Sequence, residues 1–146
     1  MMHRQLTRAT VSDTIFFCCD VTTIATEPKY KNCNIDSIVT IAKMMAKLAR
    51  IWKIPIVATE YYPNKFGEIV EDVKEEIPYG IDTLVSQKDQ GSMIDDQTRE
   101  FLSNYPDKKV AILYGIEAHV RVKLTCFDLL ESGYTVHVLA DAVGSV

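Results

Sequence analysis

Apolar positions fall in short runs separated by stretches of helical periodicity. Thr14-Ile-Phe-Phe-Cys-Cys-Asp20 is a continuous apolar run closed by an acid, the pattern of a strand buried on both faces of a parallel sheet. Ile38, Ala42, Met45, Leu48, Ala49 and Trp52 then recur at helical spacing. They predict a helix capped by the Asn34 side chain and stopped at Ile54-Pro55. Ile56-Val-Ala-Thr-Glu60 is a second strand ending in an acid, and residues 61–80 read as irregular with a short helix over 69–76. Asp82-Thr-Leu-Val-Ser86 is a third strand with Lys88 just beyond it, followed by a helix over 94–104. Lys109-Val-Ala-Ile-Leu-Tyr114 is a buried strand closed by Gly115. A helix over 118–131 carries the apolar stripe Ala118, Val122, Cys126 and Leu129, with Gly133 as its left-handed cap. Tyr134-Thr-Val-His-Val-Leu-Ala140 is the last strand, and Asp141 follows it.

Strands that alternate with helices give an α/β class: a three-layer α/β/α fold on a mostly parallel sheet with right-handed crossovers. The 146 residues contain no internal repeat or linker and fit one domain over 14–146, after a flexible N-terminus over 1–13. Hydrophobic residues at 47% against 25% charged exclude a disordered chain. The net charge of −4 argues against a nucleic-acid partner, and no apolar run is long enough to span a bilayer. Arg4, Arg8 and Ser12 admit a weak mitochondrial presequence reading, but a frayed terminus fits residues 1–14 better. Cys18, Cys19, Cys33 and Cys126 show no CxxC spacing; the adjacent Cys18 and Cys19 read as small buried hydrophobes of a cytoplasmic protein, and neither disulfides nor structural zinc are expected.

Ligands of parallel sheets bind at the carboxyl ends of the strands, near the point where strand order reverses. Asp20, Glu60, Lys88, the Gly115-Ile-Glu-Ala-His119 turn and Asp141 all stand at such ends. Glu60 and Asp141 read as polar residues where the chain leaves the core, whereas Asp20, after the most apolar run, reads as functional. If the first and fourth strands are neighbours, the third lies two strand spacings from Asp20, about 10 Å. The Lys88 side chain can cover much of that gap. No Gly-rich phosphate loop follows the first strand, which argues against a nucleotide-binding protein.

The order of these motifs resembles the isochorismatase-like cysteine hydrolases, with the eukaryotic isochorismatase domain-containing proteins the nearest branch. The resemblance rests on Cys-Asp20, on Ala58-Thr-Glu-Tyr-Tyr-Pro63, on Lys88 with Ser92-Met93 behind it, on Gly115-Ile-Glu-Ala-His-Val120, and on Val136-His-Val-Leu-Ala-Asp-Ala142. It covers the chain from about Ile15 onward. It implies an Asp–Lys–Cys triad in which Asp20 is the base and Lys88 stabilises charge. It further implies an oxyanion turn of backbone N–H groups around Ile116, Glu117 and residue 121, with a non-proline cis peptide at Ile116–Glu117. The nucleophile's position, two residues after His119, holds Arg121.

A guanidinium has no available lone pair and cannot be deprotonated in a protein, so Arg121 cannot act as the thiolate. Cys126 lies about 140° around the helix and roughly 7.5 Å along it, a poor substitute. Cys18, deeper in the first strand, is no better. Arg121 is expected to pair with Asp20, leaving Lys88 to give the pocket one net positive charge suited to a small carboxylate. Glu60, Tyr62 and His119 line this expected pocket, with His119 an ordinary turn residue. The metal motif of the nicotinamidase branch is replaced by Thr59-Glu-Tyr-Tyr-Pro63, so no metal or cofactor is expected, and Val21-Thr-Thr-Ile-Ala25 replaces the polar substrate-contacting stretch of close relatives.

Relatives continue past the fifth strand with a helix, a sixth strand and a C-terminal helix, whereas the sequence ends at Val146. An uncovered fifth strand is expected to favour a homo-oligomer or a protein partner. Two functions follow as expectations. One is an inactive binding or interaction relative; the other is an active hydrolase of a small amide, ester or enol ether, in which Asp20 and Lys88 drive a water nucleophile.

Overall fold

The computed structural model describes residues 7–80 and 82–146; Met1–Leu6, including Arg4 of the presequence reading, lie outside the described residues. Five strands form one parallel sheet: β1 (Thr14–Cys19), β2 (Ile56–Tyr61), β3 (Thr83–Lys88), β4 (Val110–Ile116) and β5 (Thr135–Gly144). Their order is β3-β2-β1-β4-β5, so β1 is central and the strand order reverses beside it. Every residue of β1 is buried, as its unbroken apolar run requires.

Side-chain alternation along β1 divides the interior into two cores. Phe16 and Cys18 join the core beneath α1 (Ile35–Trp52), through Ile38, Ala42, Met45, Ala46 and Ala49. Three alanines on that face bring the helix close to the sheet. Ile15, Phe17 and Cys19 join the opposite core, with Met93, Val122 and Leu129. That face is covered by α4 (Asp96–Ser103) and α5 (Lys123–Glu131), which completes the α/β/α layering. One-turn helices α2 (Pro63–Phe66) and α3 (Glu71–Lys74) lie in the crossover between β2 and β3.

Several local expectations are corrected. Asn34 adopts a left-handed conformation (φ 56°) and its side chain caps nothing; its carbonyl accepts the Ile38 N–H instead. The helix over 69–76 shortens to the single turn of α3. The helix over 118–131 opens with a wide turn over Ala118–Val122 before α5 begins. Its apolar stripe is incomplete: Val122 and Leu129 are buried, Cys126 is half-buried, and Leu124, Phe127 and Leu130 are exposed. The last strand runs on to Gly144, because β5 resumes pairing after an excursion. Leu113 pairs with Val138 and Gly115 with Val143, which leaves residues 139–142 opposite Tyr114 alone.

Candidate functional site

Asp20 sits where β1 ends, fully buried and in a left-handed conformation (φ 51°) that a short polar side chain tolerates. The turn lets its carboxylate face both neighbours. Thr59 of β2 donates to Oδ1 at 2.7 Å, and the Lys88 ammonium of β3 lies 2.9 Å from Oδ2. Lys88 thus spans the gap expected from two strand spacings. Its other two protons go to the carbonyls of Gln90 (3.0 Å) and Gly91 (3.1 Å), so all three donors are used.

From the other side, the wide turn after β4 delivers Arg121. Its Nη1 stands 3.3 Å from Asp20 Oδ2, the pairing expected from the sequence. Its Nε donates to Glu117 Oε2 at 3.0 Å, and Glu117 Oε1 accepts the Tyr30 hydroxyl at 3.2 Å. The guanidinium lies 4.4 Å from the Tyr61 ring centre and 5.8 Å from that of Phe66, which stacks on Tyr61. Lys88 is 4.8 Å from the same Tyr61 ring. Arg121 is 3% exposed. Burial works against its charge, but the Glu117 hydrogen bond and the Asp20 and Glu117 carboxylates outweigh it and raise the guanidinium pKa. Arg121 is permanently cationic.

These contacts correct the expected electrostatics. Glu117 supplies a second carboxylate, so Asp20 and Glu117 balance Lys88 and Arg121, and the cluster is neutral rather than singly positive. The basis for a small carboxylate ligand here is removed.

The turn itself also differs from expectation. Among the described residues every peptide bond is trans, Ile116–Glu117 included. Glu117 reverses the chain through a left-handed conformation (φ 57°), and Ile116 is buried in the α1-side core. Gly115 (φ 137°) is needed because a Cβ there would stand 2.0 Å from the Cys19 carbonyl oxygen. The Val120 and Val122 N–H groups donate to the Glu117 carbonyl, and that of His119 donates to Ser145 Oγ.

The expected lining residues fall elsewhere. Glu60 is buried but points to the opposite side of β2, where it accepts the Ile69 N–H (3.0 Å) and the Gln87 amide (3.3 Å). Tyr62 is 46% exposed; its N–H donates to the Lys88 carbonyl (3.0 Å) and its ring meets the Tyr61 ring edge-on. His119 is exposed, its Nδ1 2.8 Å from Ser145 Oγ. Asp141 is exposed in the β5 excursion. Missed in the sequence were Thr59, Tyr61, Phe66 and the carboxylate role of Glu117. The first two were readable, since alternation along β2 puts Thr59 and Tyr61 on one face and Glu60 on the other.

The thiol nearest the acid is Cys19, whose Sγ donates to Asp20 Oδ2 at 3.7 Å. It is fully buried, and desolvation with the Asp20 charge raises its pKa well above the ordinary range. Cys18 faces the other core, its thiol pushed up to about 12 by burial and then by Asp20. Burial therefore disfavours the thiolate at both positions.

A family model described as the isochorismatase domain matches residues 14–146. The chain belongs to the isochorismatase family. It is 31% identical to the secreted isochorismatase effector Isc1 of Phytophthora sojae (strain P6497) over 143 residues, which cover 97% of this chain and 67% of that protein. It is 35% identical over 134 residues to isochorismatase family protein 1A of Dictyostelium discoideum, covering 90% of this chain and 63% of that one. With isochorismatase domain-containing protein 1 of Salmo salar it shares 32% over 132 residues, which is 90% of this chain and 44% of the relative. The chain therefore spans between 44% and 67% of the length of these relatives. Among solved structures, MAR1 ribonuclease from Caenorhabditis elegans superposes with a TM-score of 0.83 at 36% identity, covering 95% of this chain and 68% of that one. This isochorismatase-family chain has the family's three-layer fold, a parallel sheet between helices. Among its described residues no helix is long and apolar enough to cross a membrane.

Proposed function

We propose that this isochorismatase-family chain carries no cysteine-hydrolase chemistry, because Arg121 occupies the position of the nucleophile. One observation carries the reading: the guanidinium, 3% exposed, fills the space between Asp20, Glu117 and Tyr61 and is charged by its surroundings. A group with no lone pair to offer cannot form the acyl intermediate. Lys88 has all its donors committed, and the Asp20 carboxylate is held by Thr59 and two cations, so neither is poised to activate a water. The site serves to hold β1, β3 and the turn after β4 together. The chain then acts by association, a role supported by the exposed Leu124, Phe127 and Leu130 of α5.

The test is a turnover assay on a panel of small amides, esters and enol ethers, with an RNA oligonucleotide included because of the ribonuclease named among the relatives. Wild type is expected to match the buffer rate, and Arg121→Cys to gain a thiol that ester substrates acylate, detected by intact mass. Wild-type turnover abolished by Asp20→Asn would overturn the proposal in favour of the water-nucleophile hydrolase.

A further inference from the structure

At the opposite end of the sheet, a cavity of about 330 Å³ opens between α4, the connection to β4 and the turn into β5. That volume is at the small end of the range for ligand pockets, roughly 300–1,000 Å³. Its apolar wall is Ile94, Leu102 and Pro106, and Tyr134 closes it on the β5 side. Arg99 and Leu102 stand one turn apart on α4, so one face of that helix supplies both a cation and apolar surface. The second cation is Lys109, whose ammonium rests 4.7 Å from the Tyr134 ring centre.

The charges here contrast with those around Asp20. Among the described residues neither Arg99 nor Lys109 makes an ion pair, and no carboxylate lines the cavity. The two lining serines are not competing donors: Ser103 donates to the Glu100 carbonyl (2.6 Å) and Ser132 to that of Asp128 (2.7 Å). Desolvation raises the Tyr134 pKa and keeps its hydroxyl protonated. The free donors are therefore a guanidinium, an ammonium and a phenol, set around an apolar wall in a chain of net charge −4. The helices α4 and α5 both end beside the cavity, and their C-terminal carbonyls favour the same cations. A purely structural role for Arg99 and Lys109 would rest on that.

We infer that this cavity binds a small aromatic anion, its ring against Leu102, Pro106 and Tyr134 and its carboxylate or sulfonate held between Arg99 and Lys109. The site is independent of the Asp20 cluster and does not rest on the loss of hydrolase chemistry. Apolar burial supplies the affinity, and the unpaired cations select the charge.

The experiment is calorimetric titration of the full chain with 1-naphthoate, alongside its neutral isostere 1-naphthalenemethanol. Saturable 1:1 binding of the anion is expected, at least about tenfold tighter than the alcohol, the scale of one charge-assisted contact. Arg99→Gln and Lys109→Gln are each expected to weaken it about tenfold at unchanged thermal midpoint, since both side chains are exposed. Amide NMR shifts should centre on Leu102 and Tyr134. Absence of saturable binding, equal binding of the alcohol, or affinity unchanged in both variants would overturn the inference and assign the two cations to the helix ends.

Discussion

The ends of β1 and β2 present two buried carboxylates side by side, and the molecule satisfies them by different means. Asp20 is fully buried and Glu60 is 5% exposed. Asp20 takes two cations and a hydroxyl, the cations coming from β3 and from the turn after β4. Glu60 takes a backbone N–H and a side-chain amide from its own crossover and neighbouring strand, and among the described residues it makes no ion pair. The first arrangement links β1, β2, β3 and the turn after β4; the second ties β2 to its neighbour β3 and to one loop. A buried charge must be neutralised or hydrogen-bonded, and the number of segments recruited decides what the residue holds together.

Removing the charge at the first of these should have the largest effect. Asp20→Asn leaves Lys88 and Arg121 buried with Glu117 as the remaining carboxylate, and should cost about 3–5 kcal/mol in urea unfolding. A loss under about 1 kcal/mol would make the two carboxylates equivalent. The next effect is alkaline and also belongs to β1, which carries two thiols where β2 carries none. The Cys18 thiol has an ordinary value of 9.0 and is pushed to about 12 in the folded chain. Above 9.0 the unfolded thiol loses its proton while the folded one keeps it. Its contribution is therefore complete below the unfolded value and is lost as the pH rises through the folded one. Denaturation midpoints measured from pH 8 upward should fall, and Cys18→Ala should flatten that fall.

Arg121→Met comes next, at about 1–3 kcal/mol, because Asp20 keeps Lys88 and Thr59 while Glu117 can turn toward water. A stabilised Arg121→Met chain would show that the guanidinium is an electrostatic burden rather than a link. Glu60→Gln should cost about 1 kcal/mol, since the amide oxygen can still accept the Ile69 N–H; protease cleavage within 62–70 should report the loosened loop. Smallest of all, Asp141→Asn at an exposed acid of the β5 excursion should stay within about 0.5 kcal/mol of wild type.

How far the site was legible depended on the range of the interactions that make it. Asp20 and Lys88 could be placed because each follows an apolar run whose burial is encoded locally. The Asp20–Arg121 pairing followed from the side-chain chemistry of a cation in the first turn of a helix, which is best tolerated beside an acid. Glu117 was read only as a turn residue, because nothing in its neighbours says that its carboxylate would reach both Arg121 and Tyr30. Tyr62 was placed in the pocket instead of Tyr61, an error of one residue that in a strand moves a side chain to the other face. Lys88 lies inside β3 rather than beyond it, since Gln87 and Lys88 pair with Glu60 and Tyr61 despite their polarity.

By itself the sequence determined the layers: apolar runs of about six residues, too short for buried helices, read as strands covered on both faces, and helical spacing between them supplies the covers. It determined as well that no thiolate stands at residue 121. Only the tertiary structure decided the charge balance, because a site's net charge is a sum over groups that separate elements bring within about 3–4 Å of one another. Glu117 entered that sum through a left-handed turn, and the cluster became neutral. At the far end of the sheet, no carboxylate entered the sum for Arg99 and Lys109 among the residues lining their cavity.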